Sequence, residues 1–247
     1  VRRADERLRF AVSQRCGRID PNPHQIDAVV FALQRIPEGG CILADEVGLG
    51  KTIEAGLVIA QLLAEGRQRI LLIVPKALVG QWQTELYSLF GIQVREGGPD
   101  PEAFAGTGVF IVHREFAGGL KGAPLISSAD DFDLVVIDEA HEVFASIYKR
   151  FDKAGHYKPD ASEAQIADRV RSFLRPSGTP VLLLTATPIQ NSLTELWELV
   201  QYVEPTDELL GKLPTFRDVF CDGNDRGLNV DQTFELRRRL DTVVQRT

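Results

Sequence analysis

A chain of 247 residues, 44% hydrophobic and 26% charged, can fill one large core or two small ones and has the balance of a water-soluble protein. No apolar run approaches the roughly 18 residues of a membrane helix, so no membrane partner is expected, and the charged opening VRRADERLRF does not fit a secretory signal. A net charge of −7 speaks against a simple basic nucleic-acid-binding module, without excluding a few local contacts to nucleic acid.

The three cysteines, Cys16, Cys41 and Cys221, are isolated and lack metal-ligand spacing; they read as reduced thiols of a cytoplasmic protein. Basic residues cluster at Arg2, Arg3, Arg7, Arg9, Arg15 and Arg18, and again at Arg237, Arg238 and Arg239, but such runs are most often solvated helix faces. The chain opens on Val1 and has no methionine, which points to a piece of a longer polypeptide.

In chain order, Asn22-Pro23-His24 has the form of an N-cap followed by proline at the first helical position. The helix it opens is expected to bury Ile26, Val29, Val30 and Leu33. CILA (41–44) is the first of five apolar runs of strand length, followed by ILLIV (70–74), VFIV (109–112), LVVID (134–138) and VLLLT (181–185). They are nearly continuous, as expected for parallel strands covered on both faces. Between them, Thr52 to Glu65 has helical spacing and stops at Gly66, and Ala77 to Phe90 stops at Gly91. Strand alternating with helix predicts an α/β fold, a mostly parallel sheet flanked by helices on both faces. Residues 145–178 read as a polar, partly helical insertion, and residues 205–232, rich in Pro, Gly and Asp, as irregular.

ADEVGLGKT (44–52) is almost a phosphate-binding loop, which would have Gly, four residues, then Gly-Lys-Ser/Thr. Gly50, Lys51 and Thr52 are in register, but Asp45 fills the place of the first glycine. Such a loop needs glycines that let backbone N–H groups curl round phosphate, a lysine for the terminal phosphates and a hydroxyl for Mg²⁺. Taken alone, an ordinary turn would also fit. The second element is DLVVIDEAH (133–141), a buried strand that delivers Asp138 and Glu139 at its carboxyl end. One acid there can hold a metal and the next can orient or deprotonate a water; a helix N-cap is the plainer alternative. In an open parallel sheet both motifs would face one crevice.

DEAH (138–141) together with DEVGLGKT (45–52) resembles the superfamily-two helicases and, more narrowly, the N-terminal RecA-like lobe of their Swi/Snf-type ATPases. Asp in the first loop position is usual in that family. The resemblance runs from about Asn22 to the C-terminus: Pro23-His24-Gln25 is similar to the adenine motif, IVPKALVGQWQTEL (73–86) to motif Ia, Val109–Arg114 to the start of motif Ib, and LLLTATPIQNSLTELWELVQYVEP (182–205) to motif III with its extension. Val47 and IEAG (53–56) look like bacterial members.

The resemblance implies ATP and Mg²⁺ as cofactors, with Gln25 on adenine, Val47, Gly48, Leu49, Gly50, Lys51 and Thr52 on the phosphates, Thr52 and Asp138 on the metal, and Glu139, Asp138 and Lys51 as the catalytic set. It assigns Thr185 and Thr187 to coupling, and Lys76, Gln190 and Asn191 to the backbone of double-stranded DNA. Trp82 reads better as a core anchor than as a base-stacking platform, and His113 and His156 as structural or surface residues.

The implied organisation is a basic lead-in (1–21), an ATP-binding lobe (22–205) and an extension (206–247) leading towards a second RecA-like lobe, which would supply arginine fingers worth about 10³–10⁵ in rate. Without that lobe the chain is expected to be nearly inactive. The implied activity is ATP hydrolysis coupled to movement on duplex DNA. The alternatives are a remodeller of a protein–nucleic acid complex of the RNA-polymerase-recycling type, or the motor subunit of a restriction or phage-defence system.

Overall fold

Runs of Val, Ile and Leu that do not alternate with polar residues have no face to offer to water, and all five become interior strands. The computed structural model describes residues 21–44, 50–129, 131–144, 149, 158, 164–186, 193–204, 206–221 and 228–246. Val47, Gly48, Leu49, His156, Thr187, Gln190 and Asn191 lie outside them.

The strands are β1 (Gly40–Leu43), β2 (Arg69–Val74), β3 (Val94–Glu96), β4 (Gly108–His113), β5 (Leu134–Ile137), β6 (Val181–Leu184) and β7 (Val244–Gln245). They form one sheet in the order β3-β4-β2-β5-β6-β1-β7, and every pairing in it is parallel.

Successive residues of a strand point to opposite faces, and the two faces bury two separate cores. Cys41, Leu43, Ile70, Leu72, Val74, Leu134, Val136, Leu182 and Leu184 pack under one layer of helices: α1 (Pro23–Arg35), α2 (Lys51–Ala64) and α3 (Val79–Phe90). Ile42, Leu71, Ile73, Val135, Ile137, Val181 and Leu183 pack on the other face, against α5 (Gly122–Ser128), α7 (Gln165–Ser177), α8 (Leu193–Val203), α9 (Leu213–Phe220) and α10 (Val230–Leu240). Two one-turn helices, α4 (Arg114–Ala117) and α6 (Ala140–Val143), follow β4 and β5. The α/β expectation, helices on both faces included, holds. Among the described residues no helix is long and apolar enough to cross a membrane.

The structure departs from the sequence reading in three places. The buried face of α1 is centred on Gln25, Ala28, Val29 and Ala32, while Ile26, Val30 and Leu33 are only partly buried. Small alanines let α1 approach α2, so the inward stripe is set by close contact and not by the bulkiest side chains. Residues 205–232 contain α9, whose Leu213, Phe216 and Phe220 are buried at helical spacing behind a proline in the first turn. Finally, the segment after residue 205 folds back into the domain: β7 pairs with β1, and Leu210, Leu236 and Val243 join the core.

Gly56 lies where α2 meets α3. A Cβ there would overlap the Phe90 ring, so α2 and α3 pack face to face only because position 56 has no side chain.

Candidate active site

A parallel sheet puts the carboxyl ends of its strands on one edge, and β1, β2, β5 and β6 all end there. β1 releases the chain into the phosphate-loop sequence, and α2 begins at Lys51 after Gly50 with φ 94°, a left-handed conformation open to glycine at little cost. The first turn of α2 therefore presents Lys51 and Thr52 with the positive end of the helix dipole behind them. A Cβ at Gly50 would also overlap Gln25 Nε2. This close approach joins the start of α1 to the loop: Gln25 is buried, and its Oε1 accepts from the Asn22 backbone N–H at 3.0 Å, which fixes the amide over Gly50.

β5 ends at Ile137, and the Asp138 N–H still donates to Ile73 O at 2.9 Å, so the acid is held at the edge of the sheet by ladder geometry. Asp138 is 7% exposed. Its Oδ2 accepts from the indole N–H of Trp82 at 2.9 Å, and its Oδ1 from the backbone N–H of Glu139 at 2.9 Å. Its pKa is raised above the ordinary carboxylate value, chiefly by burial; the Trp82 hydrogen bond opposes this, the Glu139 charge adds to it, and the Glu139 N–H and the Lys51 charge oppose it.

Glu139 has φ 48° and ψ 50°, a left-handed backbone rare outside glycine, and strained conformations of this kind cluster at functional positions. Its Oε2 is buried without a hydrogen-bond partner among the described residues; His141 Nδ1 is 3.4 Å away.

β6, between β5 and β1 in the sheet, ends at Thr185. This fully buried residue has its N–H bonded to Leu43 O at 3.1 Å and its hydroxyl 2.9 Å from His141 Nδ1. Burial holds the His141 pKa below the usual imidazole value, against the pull of Glu139 and Glu195. Lys76 is exposed just beyond β2, on the same edge. The structure thus brings Gln25, Gly50, Lys51, Thr52, Asp138, Glu139 and Thr185 to one side of the sheet.

Trp82 is a core residue, 2% exposed, but it also touches the site, which sequence alone does not reveal. The available signal is that a buried indole N–H requires an acceptor. His113 has a local structural role, its Nδ1 accepting from the Phe116 N–H at 3.2 Å. Arg114 pairs with Glu142, tying the end of β4 to the helix after the acids.

The donor set suits a hard divalent cation. A buried carboxylate with raised pKa and a second carboxylate oxygen buried without a hydrogen bond both favour added positive charge. Among the described residues no group of three or more His, Cys, Asp or Glu could hold a metal by itself.

An all-parallel sheet with a lysine–threonine helix start and strand-end acids on one edge defines a RecA-like P-loop domain. The family model described as the SNF2-related domain matches residues 24–247, and the chain belongs to that family. Among its relatives, an uncharacterized ATP-dependent helicase, YqhH, of Bacillus subtilis is 32% identical over 202 residues, covering 81% of this chain and 32% of that protein. The RNA polymerase-associated protein RapA of Pseudomonas fluorescens is 35% identical over 181 residues, covering 70% and 18%. The chain therefore spans about a third or less of the curated relatives it matches. A SWI2/SNF2 ATPase core of Sulfolobus solfataricus, solved in complex with dsDNA, has the same fold, with a TM-score of 0.66 at 20% identity over 93% of this chain and 44% of that one.

Proposed function

We propose that this chain is the ATP-binding lobe of a Swi/Snf-type motor that hydrolyses ATP and moves along double-stranded DNA. The observation that carries the reading is the convergence of Lys51, Asp138, Glu139 and Thr185 at the ends of three neighbouring strands, with Gln25 against Gly50. Gln25 reads adenine through its amide. The loop of Val47, Gly48, Leu49 and Gly50 wraps the phosphates, and Lys51 neutralises the terminal ones. Thr52 and Asp138 would hold Mg²⁺, which when bound supplies charge neutralisation to the phosphates.

Glu139 accepts the proton of the attacking water. Thr185 and Thr187 relay the nucleotide state, and Lys76, Gln190 and Asn191 contact the DNA backbone, where phosphate contacts give grip without base readout. A second RecA-like lobe in the same longer chain would complete the site by closing on it.

The RapA relatives favour a second reading, in which the motor works on a protein–nucleic acid complex that includes RNA polymerase. Both readings meet in one experiment: ATP hydrolysis by the full-length protein with duplex DNA, single-stranded DNA, RNA or polymerase, beside this chain alone. Strong stimulation by duplex DNA with a nearly silent lobe is the expected result. Turnover indifferent to every nucleic acid would overturn the DNA reading.

A further inference from the structure

Among the described residues Asp138 is held by two donors, and both are neutral. Trp82 Nε1 donates to Oδ2 and the Glu139 backbone N–H to Oδ1, each at 2.9 Å. A lysine or arginine in either place would orient the carboxylate equally well but would cancel the charge a cation needs. Neutral N–H donors fix the plane of the group while leaving its full negative charge and a second lone pair on each oxygen. The Glu139 donor is one residue away and follows the local backbone. The Trp82 donor comes from 56 residues away in the chain, from the first turn of α3.

Trp82 is well anchored for such a task. It is 2% exposed and belongs to the apolar cluster formed with Val74, Val79 and Leu86, so the ring cannot turn without opening that core. An indole has one polar atom, and here it is spent on Asp138 and not on a backbone carbonyl. The second tryptophan differs: Trp197 Nε1 donates to Gly211 O at 2.9 Å, a plain structural bond.

We propose that Trp82 is a positioning residue whose indole N–H holds the Asp138 carboxylate in the orientation that receives the divalent cation of the bound nucleotide. This rests on the reading of Asp138 as a metal-holding residue given above. Partners that orient a metal ligand are commonly worth about 10–100-fold in metal affinity or activity, which sets the size of the expected effect.

The test measures ADP binding to the full chain by titration calorimetry, with Mg²⁺ or with EDTA, in a Trp197→Phe background. Trp82→Phe keeps an aromatic ring but removes the N–H. The expected result is a Mg²⁺-dependent gain in ADP affinity reduced by about tenfold or more, with metal-free ADP affinity unchanged. An undiminished gain would overturn the proposal; so would an equal loss with and without Mg²⁺, which is what damaged packing alone produces. If Trp82→Phe does not fold, 3-benzothienylalanine at position 82 preserves the bicyclic shape and places sulfur where the N–H was, and the same two outcomes decide. A Trp197→Phe protein whose ADP affinity ignores Mg²⁺ would instead remove the metal-site reading of Asp138, and this proposal with it.

Discussion

His141 Nδ1 and the Thr185 hydroxyl lie 2.9 Å apart, joining the segment after β5 to the end of β6. The two residues are 44 apart in sequence, and this bond connects the acid-bearing turn to the strand that leads into the next loop. Burial is the largest influence on the His141 pKa and lowers it, which favours the neutral ring. A neutral imidazole and a hydroxyl can each donate or accept, so the link can reverse its polarity without moving charge.

Removing the hydroxyl while keeping the shape tests whether that link carries coupling. Thr185→Val is expected to leave Mg²⁺–ATP affinity nearly unchanged and to cut nucleic-acid-stimulated turnover in the full-length protein. The loss corresponds to about 0.5–2 kcal/mol of coupling, or roughly 2- to 30-fold. Stimulated and unstimulated hydrolysis, measured side by side, check it; equal stimulation in both proteins would exclude Thr185 from coupling.

Lys51→Ala removes the cation at the start of α2. A hydrogen bond to a charged group is worth about 1.5–3 kcal/mol, so Mg²⁺–ATP binding by this chain should weaken roughly 10- to 100-fold. Titration calorimetry reads this directly. Unaltered affinity would mean that the phosphates bind elsewhere.

Glu139→Gln keeps the shape of the side chain and removes its basicity. Binding of ATP should persist in the full-length protein, while turnover falls by about 10²-fold or more, the usual share of a general base. Hydrolysis at the unaltered rate would take Glu139 off the catalytic list.

At the opposite edge of the sheet, Asp133 Oδ2 accepts from the backbone N–H groups of Gln68 at 2.8 Å and Arg69 at 2.9 Å. Burial alone would raise its pKa, but these two donors, with Arg67, hold it below the usual carboxylate range. A lowered folded-state pKa gives stability that is present above the unfolded value and is lost as pH falls through the folded one. Asp133→Ala should therefore cost about 1–3 kcal/mol at neutral pH, and the difference in Tm from the unsubstituted chain should shrink on acidification. A constant difference across that range would show that the carboxylate charge is irrelevant to the clasp.

The five interior strands were legible because continuous Val/Ile/Leu runs leave little alternative to a sheet covered on both faces. β3 and β7 were not. Val94–Glu96 and Val244–Gln245 are two or three residues long, too short for a period, and exist because a neighbouring strand offers free N–H and C=O groups. The inward face of α1 does not follow side-chain bulk, because the approach to α2 favours Ala28 and Ala32. At the site, the sequence spacing and the family pattern pointed to Lys51, Thr52 and Asp138 as candidates, and the structure puts them on the carboxyl edge of the sheet. The Trp82–Asp138 bond could not: nothing in a linear sequence names the acceptor of a buried indole N–H.

β1, which leads into the phosphate loop, pairs with β6 through Gly40 and Val181 and with β7 through Ile42 and Val244. Both neighbours are made long after it, and such non-local pairings form slowly. During translation, Lys51 therefore emerges from the ribosome well before either flanking strand exists. A nascent chain arrested ahead of residue 181 carries the complete loop sequence but leaves β1 as an open edge, prone to pairing with the wrong partner. A chain cut short of residue 181 therefore lacks both strands that flank β1 in the folded sheet.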